Sequence, residues 1–91
     1  SSDLVEDLAD KAGMSSRHFT RAFIAETGTT PSKAVERLRI EVARQRVQSS
    51  GEAIERVAEI TGFRDPERMR RAFIRAFGQP PQSLRRASRA G

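Results

Sequence analysis

The chain has 91 residues and no cysteine, and its 17 basic and 12 acidic residues give a net charge of +5. This length fits one compact domain or two small subdomains, and the lack of cysteine excludes disulfides and thiolate metal sites. The sequence has no membrane-length apolar run, and it begins with Ser1 rather than Met, so we expect a fragment of a longer protein. The absence of cysteine fits a cytoplasmic protein. The excess of positive charge favours a polyanionic partner over an acidic substrate.

One sequence pattern occurs twice. The tetrapeptide Arg21–Ile24 recurs 50 residues later as Arg71–Ile74. Upstream of the tetrapeptide, equivalent residues such as Gly13 and Gly62 are only 49 residues apart. The second copy therefore has one added residue between its glycine and its tetrapeptide. Each copy has the layout of a helix, a short glycine-containing turn and a second helix, which is typical of DNA-reading modules.

The first copy and the connection that follows it read as three helices. Asp3 and Glu6 have the spacing of a capping box at the start of the first helix. The turn and the second helix follow it, and the predicted first helix-turn-helix unit covers residues 1–30. A proline at the first helical position, Pro31, then begins the longest helix, which we expect to connect the two units over residues 31–49.

The second predicted helix-turn-helix unit covers residues 50–91. Its second helix has the strongest start signal in the chain, since Asp65 can cap the helix and Pro66 fits its first position. A short last helix contains Leu84, and the tail from Arg85 onward has too little apolar content to pack firmly. No segment indicates a strand. The predicted fold is all-α, with about seven helices in two helix-turn-helix subdomains joined by a long central helix.

The outer faces of the two second helices are polar and basic. Helical periodicity places Arg17, Thr20 and Arg21 on the face opposite the apolar stripe of the first copy, and Glu67 and Arg71 on that of the second. Arg can pair with guanine O6 and N7, and Glu can accept from cytosine N4. For a single helix, a solvated charged face is the better interpretation. Two copies, each behind a short helix and a glycine turn, favour DNA reading.

Other functions have weaker support. His18 is the only histidine and has no second soft ligand, so we expect no metal site and no cofactor. No placement of Asp, His and Ser indicates a catalytic triad, so we expect no enzyme. Two alternatives stay open, a non-specific architectural DNA binder and a helical protein-interaction module whose arginines only solubilise its surface.

The second copy carries the most specific motifs. From Ile54 they read Ile-x-x-Val-Ala-x-x-x-Gly-Phe, then Arg-Arg-Ala-Phe-x-x-x-Phe-Gly, then Pro-Pro and Leu-Arg-Arg up to Arg86. At these spacings the chain resembles the DNA-binding domain of AraC/XylS transcription regulators, and the Arg-Arg-Ala-Phe run is similar to the GlxA-like branch. The resemblance implies a cytoplasmic, nucleoid-associated bacterial regulator that binds double-stranded DNA. It also implies contact with RNA polymerase in the full-length regulator, and that any effector ligand binds to a domain absent here.

The resemblance also suggests roles for single residues. The positions matching the family's base-reading residues are Arg17, Thr20, Arg21, Glu67, Arg68 and Arg71. The expected contacts to the DNA backbone are Ser15, His18, Arg37, Arg39, Arg70, Arg75, Arg85 and Arg86. Ile24 and Ile74 stand where many relatives have Lys or Arg, so either a phosphate contact is missing there or each Ile touches a thymine methyl. Leu84 replaces the usual aromatic residue and is expected to keep its packing role.

Overall fold

A computed structural model describes residues 2–90, and the side chains of all of these except Ser2, Asp3 and Ala90. The described residues form six α-helices and no strand: α1 (Ser2–Lys11), α2 (Ser16–Thr27), α3 (Pro31–Ser49), α4 (Ile54–Ile60), α5 (Pro66–Phe77) and α6 (Pro81–Ala90). The all-α prediction is confirmed, although six helices replace the expected count of about seven. None of the six is long and apolar enough to cross a membrane. The capping box predicted at Asp3 lies outside the described side chains.

The chain divides into two compact units, and the boundary falls inside α3. Unit 1 is Ser1–Arg37 and unit 2 is Leu38–Gly91. Unit 1 therefore contains α1, α2 and the first turns of α3, and unit 2 contains the remainder of α3 with α4, α5 and α6. The domain limits inferred from the sequence, at residues 30 and 49, remain a prediction.

The larger hydrophobic core lies in unit 2. Its biggest fully buried side chains are those of Val47 on α3, Val57 on α4, and Met69 and Phe73 on α5. Leu84 of α6 is also buried in this core, which confirms its expected packing role. Because the buried residues of α5 share one face, burial fixes the rotation of that helix and leaves the opposite face in solvent.

Unit 1 buries its apolar residues less completely. Helix α2 has no buried residue, and Phe19 and Phe23 are only half-buried, with ring centroids 5.9 Å apart. Their equivalents in the repeat, Met69 and Phe73, have 0% of their surface exposed. In unit 2 the second half of α3 contributes buried residues to the same core as α4, α5 and α6.

The C-terminal tail, which was expected not to pack firmly, belongs to helix α6, and this helix continues to Ala90. Residues 86–89 are exposed, but two polar contacts hold the helix to the end of α3. Arg85 Nε donates to the carbonyl of Val47 over 3.0 Å, and Ser88 Oγ donates to the carbonyl of Gln48 over 3.3 Å. These carbonyls belong to the last turn of α3 and have no acceptor role within the helix. The positive charge of Arg85 also suits the negative end of the α3 dipole.

The difference in burial gives a test of where the stability resides. We expect Phe73→Ala to lower the free energy of unfolding by about 3–5 kcal/mol, because a fully buried ring leaves a cavity. Phe23→Ala, at the equivalent position of unit 1, removes a half-buried ring and should cost clearly less. Urea unfolding followed by circular dichroism measures both variants. An equal or larger loss for Phe23→Ala would contradict this account of the core.

Candidate nucleic-acid interface

Helices α2 and α5 are bounded by equivalent residues. Ser15 Oγ accepts from the backbone N–H of His18 over 3.2 Å, and Asp65 Oδ1 accepts from the N–H of Arg68 over 2.9 Å. Both helices end at a left-handed glycine with φ 76°, a conformation that glycine adopts at little steric cost. The two helices thus have the same length of 12 residues and the same register relative to their caps.

Most of the residues of unit 1 that were predicted to contact DNA lie on or beside the outer face of α2. Ser15, Arg17, His18 and Arg21 line one open depression of about 270 Å³. Arg17 and Arg21 are exposed and Thr20 is half-buried beside them. Among the described side chains, no hydrogen bond or ion pair engages either guanidinium group. The hydroxyl of Ser15 accepts the capping bond, and its own hydrogen is available to a phosphate oxygen.

The outer face of α5 repeats this arrangement with one addition. Glu67 and Arg71 are exposed, as predicted from the helical spacing, and Arg68 beside them is exposed as well. Glu67 Oε1 lies 3.5 Å from Nη1 of Arg70, one turn further along the helix. Exposed pairs of this kind contribute little to stability, so Glu67 can exchange Arg70 for a base or a water at small cost.

Ile24 and Ile74 complete these two faces. They occupy the same position in the repeat, three residues after Arg21 and Arg71, and 41% and 39% of their surfaces are exposed. Each copy therefore presents an arginine and an isoleucine side by side on its solvent face. An apolar side chain in that place offers a methyl-contacting surface that lysine or arginine would not.

The six arginines expected to contact the DNA backbone fall into two groups. Arg37, Arg70, Arg75 and Arg86 are exposed, and Arg86 Nη2 lies 3.3 Å from Ser83 Oγ. Arg39 and Arg85 are half-buried. The side chain of Arg39 lies over Gly62, where an added Cβ would be 2.9 Å from its Nε, and Arg85 holds α6 to α3. The structure thus gives Arg85 a role within the fold that the sequence did not indicate.

The turns before α2 and α5 differ by one residue. In both, the residue after the glycine donates its N–H back to the preceding helix: Met14 to the Ala9 carbonyl and Phe63 to the Ala58 carbonyl, each over 2.9 Å. Met14 is followed directly by the cap of α2. Phe63 is followed first by Arg64, which is therefore the residue that changes the repeat offset from 49 to 50. Sequence reasoning detected the added residue but assigned it no role.

Comparison with known proteins agrees with this geometry. The sequence matches the family described as "Helix-turn-helix domain" over residues 8–87. The structure is similar to the crystal structure of the DNA-binding domain of AdpA, the global transcriptional factor, in complex with a target DNA. Their TM-score is 0.88 with 37% sequence identity, over 94% of this chain and 78% of that one. The chain belongs to the AraC-type helix-turn-helix family. The family and fold that the sequence predicted are therefore confirmed.

Curated relatives are longer proteins. The HTH-type transcriptional regulator Rv1931c of Mycobacterium tuberculosis is 42% identical over 83 residues, which are 91% of this chain and 32% of that protein. The HTH-type transcriptional regulator GlxA of Rhizobium meliloti is 40% identical over 81 residues, 89% of this chain and 25% of that protein. The chain thus spans between a quarter and a third of the length of these two relatives. This AraC-type family is one of regulator DNA-binding domains, not a class of enzymes.

Proposed function

We propose that this chain binds double-stranded DNA sequence-specifically for bacterial transcription regulation, with α2 and α5 as two recognition helices. One observation carries the proposal: the same exposed face, with arginine and isoleucine at matching positions, occurs on two helices with equivalent caps and equivalent ends. A helix-turn-helix module places such a face in the major groove. The crystal structure of the similar AdpA domain in complex with a target DNA supports the same reading for this chain.

Within this proposal the two helices read bases in successive major grooves. Arg21 and Arg71 each pair with a guanine, and Glu67 accepts from a cytosine amino group. Arg17, Thr20 and Arg68 provide further contacts from the first turns of their helices. Helix α3 is continuous over Pro31–Ser49 and contributes residues to both units.

The remaining exposed basic residues supply affinity without sequence preference. Phosphate contacts fix the register of a protein on the duplex, and each one makes binding more sensitive to salt. We assign this role to Ser15, which caps α2, to His18 in the first turn of α2, and to Arg37, Arg70, Arg75 and Arg86. Arg85 is left out of the set because its Nε already binds the Val47 carbonyl.

The chain's place in a whole regulator is a further part of the proposal. We propose that it acts on chromosomal DNA in the cytoplasm, that the full-length regulator contacts RNA polymerase, and that any effector binds to a different domain. We assign it no catalytic reaction. The regulators Rv1931c and GlxA are about three to four times as long as the region they share with this chain, which leaves room for such a domain.

Selection of random duplex DNA by the 91-residue chain at about 0.15 M salt, followed by arginine substitution, tests the base-reading role. We expect a pair of short motifs about ten base pairs apart. Arg71→Ala should weaken binding to the selected site by about 1–3 kcal/mol and relax the preference at one base pair. Arg21→Ala should act in the same way on the other motif. Uniform weakening of all sequences by Arg71→Ala would instead make Arg71 a phosphate contact.

Arg44 on α3 offers a matched control for these variants. Its guanidinium donates to Glu41 and, over 2.8 Å, to Gln48 Oε1, and the hydrogen bond from Arg44 lowers the pKa of Glu41. Arg44→Ala removes the same formal charge from an arginine that is already engaged, so the selected motifs should not change. Binding without enrichment would favour the architectural binder, and no binding would favour the interaction module.

Replacing thymine by uracil in the selected site tests the role of the two isoleucines. Uracil lacks only the methyl group, so at a thymine that Ile74 contacts we expect affinity to fall about fourfold, the value of one buried methyl-sized group. In Ile74→Ala the same replacement should have no effect. Ile60→Ala is the control, because Ile60 is exposed to a similar extent, 41%, and belongs to α4 rather than to α2 or α5. Equal sensitivity to uracil in wild type and Ile74→Ala would rule out this contact.

A further inference from the structure

Arg64 is the one non-glycine residue with a positive φ in the described part of the chain. Its φ is 76°, the same left-handed region as the glycines that end α2 and α5. L-residues with a Cβ avoid this region, and Asn, Asp and His are enriched among those that enter it. An arginine here has no local side-chain hydrogen bond to offset the steric cost, so its backbone conformation is imposed by the residues around it.

The neighbours of Arg64 explain how that conformation is held. Phe63 is buried, and its N–H and that of Arg64 both donate to the Ala58 carbonyl, over 2.9 and 3.2 Å. On the other side Asp65 is fixed as the cap of α5. Arg64 therefore bridges two anchored residues, and its backbone must turn sharply between them. Glycine would make this turn more easily, so the fold alone does not account for arginine.

The side chain of Arg64 has no task within the fold. It is exposed, and among the described residues no hydrogen bond or ion pair involves it. A second arginine flanks the same turn, since the side chain of Arg39 covers Gly62. The turn of unit 1 has no added residue, and a Cβ placed on Gly13 would meet nothing within 4 Å. Strain of this kind, retained where it serves no packing, is typical of functional positions.

We propose that Arg64 binds a DNA phosphate beside α5, with Arg39 as the second guanidinium at this turn, and thereby anchors unit 2 more firmly than unit 1. The inference rests on the DNA binding proposed above. A guanidinium presents a planar fork of donors that matches a phosphate. In a helix-turn-helix module the first helix crosses the DNA backbone and the second lies in the major groove, and Arg64 lies in the turn that joins these two helices. Because the added residue occurs only in unit 2, the two units contribute unequally to the salt dependence of binding.

Three substitutions of Arg64 separate charge from backbone strain. Arg64→Gly relieves the left-handed conformation, so its thermal midpoint should equal or exceed that of the wild type. Its affinity for DNA should nevertheless fall several-fold, and the slope of log K against log salt should become shallower by about 0.9, the value of one phosphate contact. Arg64→Gln should show the same loss of slope, whereas Arg64→Lys should keep the slope. Arg44→Gln, which removes the same charge from an engaged arginine, should leave it unchanged.

Titrations use both the selected operator and a scrambled duplex, so this inference fails separately from the proposed function. A phosphate contact predicts that Arg64→Gly weakens both duplexes by the same factor. An unchanged affinity and slope for Arg64→Gly would overturn the proposal, and so would a loss confined to one base pair of the operator. A wild-type chain that binds both duplexes equally would contradict the sequence-specific function, while the slope of Arg64→Gly would still decide the role of Arg64.

Discussion

The rotation of α5 about its own axis is the constraint on which the candidate interface depends. Met69, Ala72 and Phe73 are buried against α3 and α4, which turns one side of this helix inward. At most 2% of the surface of each of these residues is exposed. Arg71 and Ile74 must then face solvent, because they lie on the opposite side. The apolar core thus acts on function indirectly, by determining which polar side chains can reach a partner.

The two units obey the same local rules with different amounts of burial. Caps and terminal glycines give α2 and α5 the same length and register, yet only α5 contributes fully buried side chains. Regions with few buried apolar contacts open at lower free energy than well-packed ones. We therefore expect α2 to be the less stable of these two helices, and unit 2, with its added Arg64, to be the better anchored on DNA if both bind it as proposed.

Local signals accounted for much of the fold and of the reading faces. Asp65 and Pro66 marked the start of α5, and helical spacing identified arginines that are exposed on α2 and α5. Contacts between residues distant in the sequence could not be predicted from these local signals. Arg85 binds a carbonyl 38 residues away, and nothing in the polar tail indicates that partner. The left-handed conformation of Arg64 could not be predicted either, because the sequence shows that the turn has an added residue but not which φ that residue adopts.

Methylation interference at guanine N7 on the selected operator tests the central claim most directly, because N7 lies in the major groove where Arg21 and Arg71 are proposed to bind. We expect that methylation prevents binding at guanines in two clusters about one helical turn apart. With Arg71→Ala in place of the wild-type chain, methylation in one of these clusters should no longer affect binding. Interference at no guanine, together with tight binding, would contradict major-groove reading by these two helices.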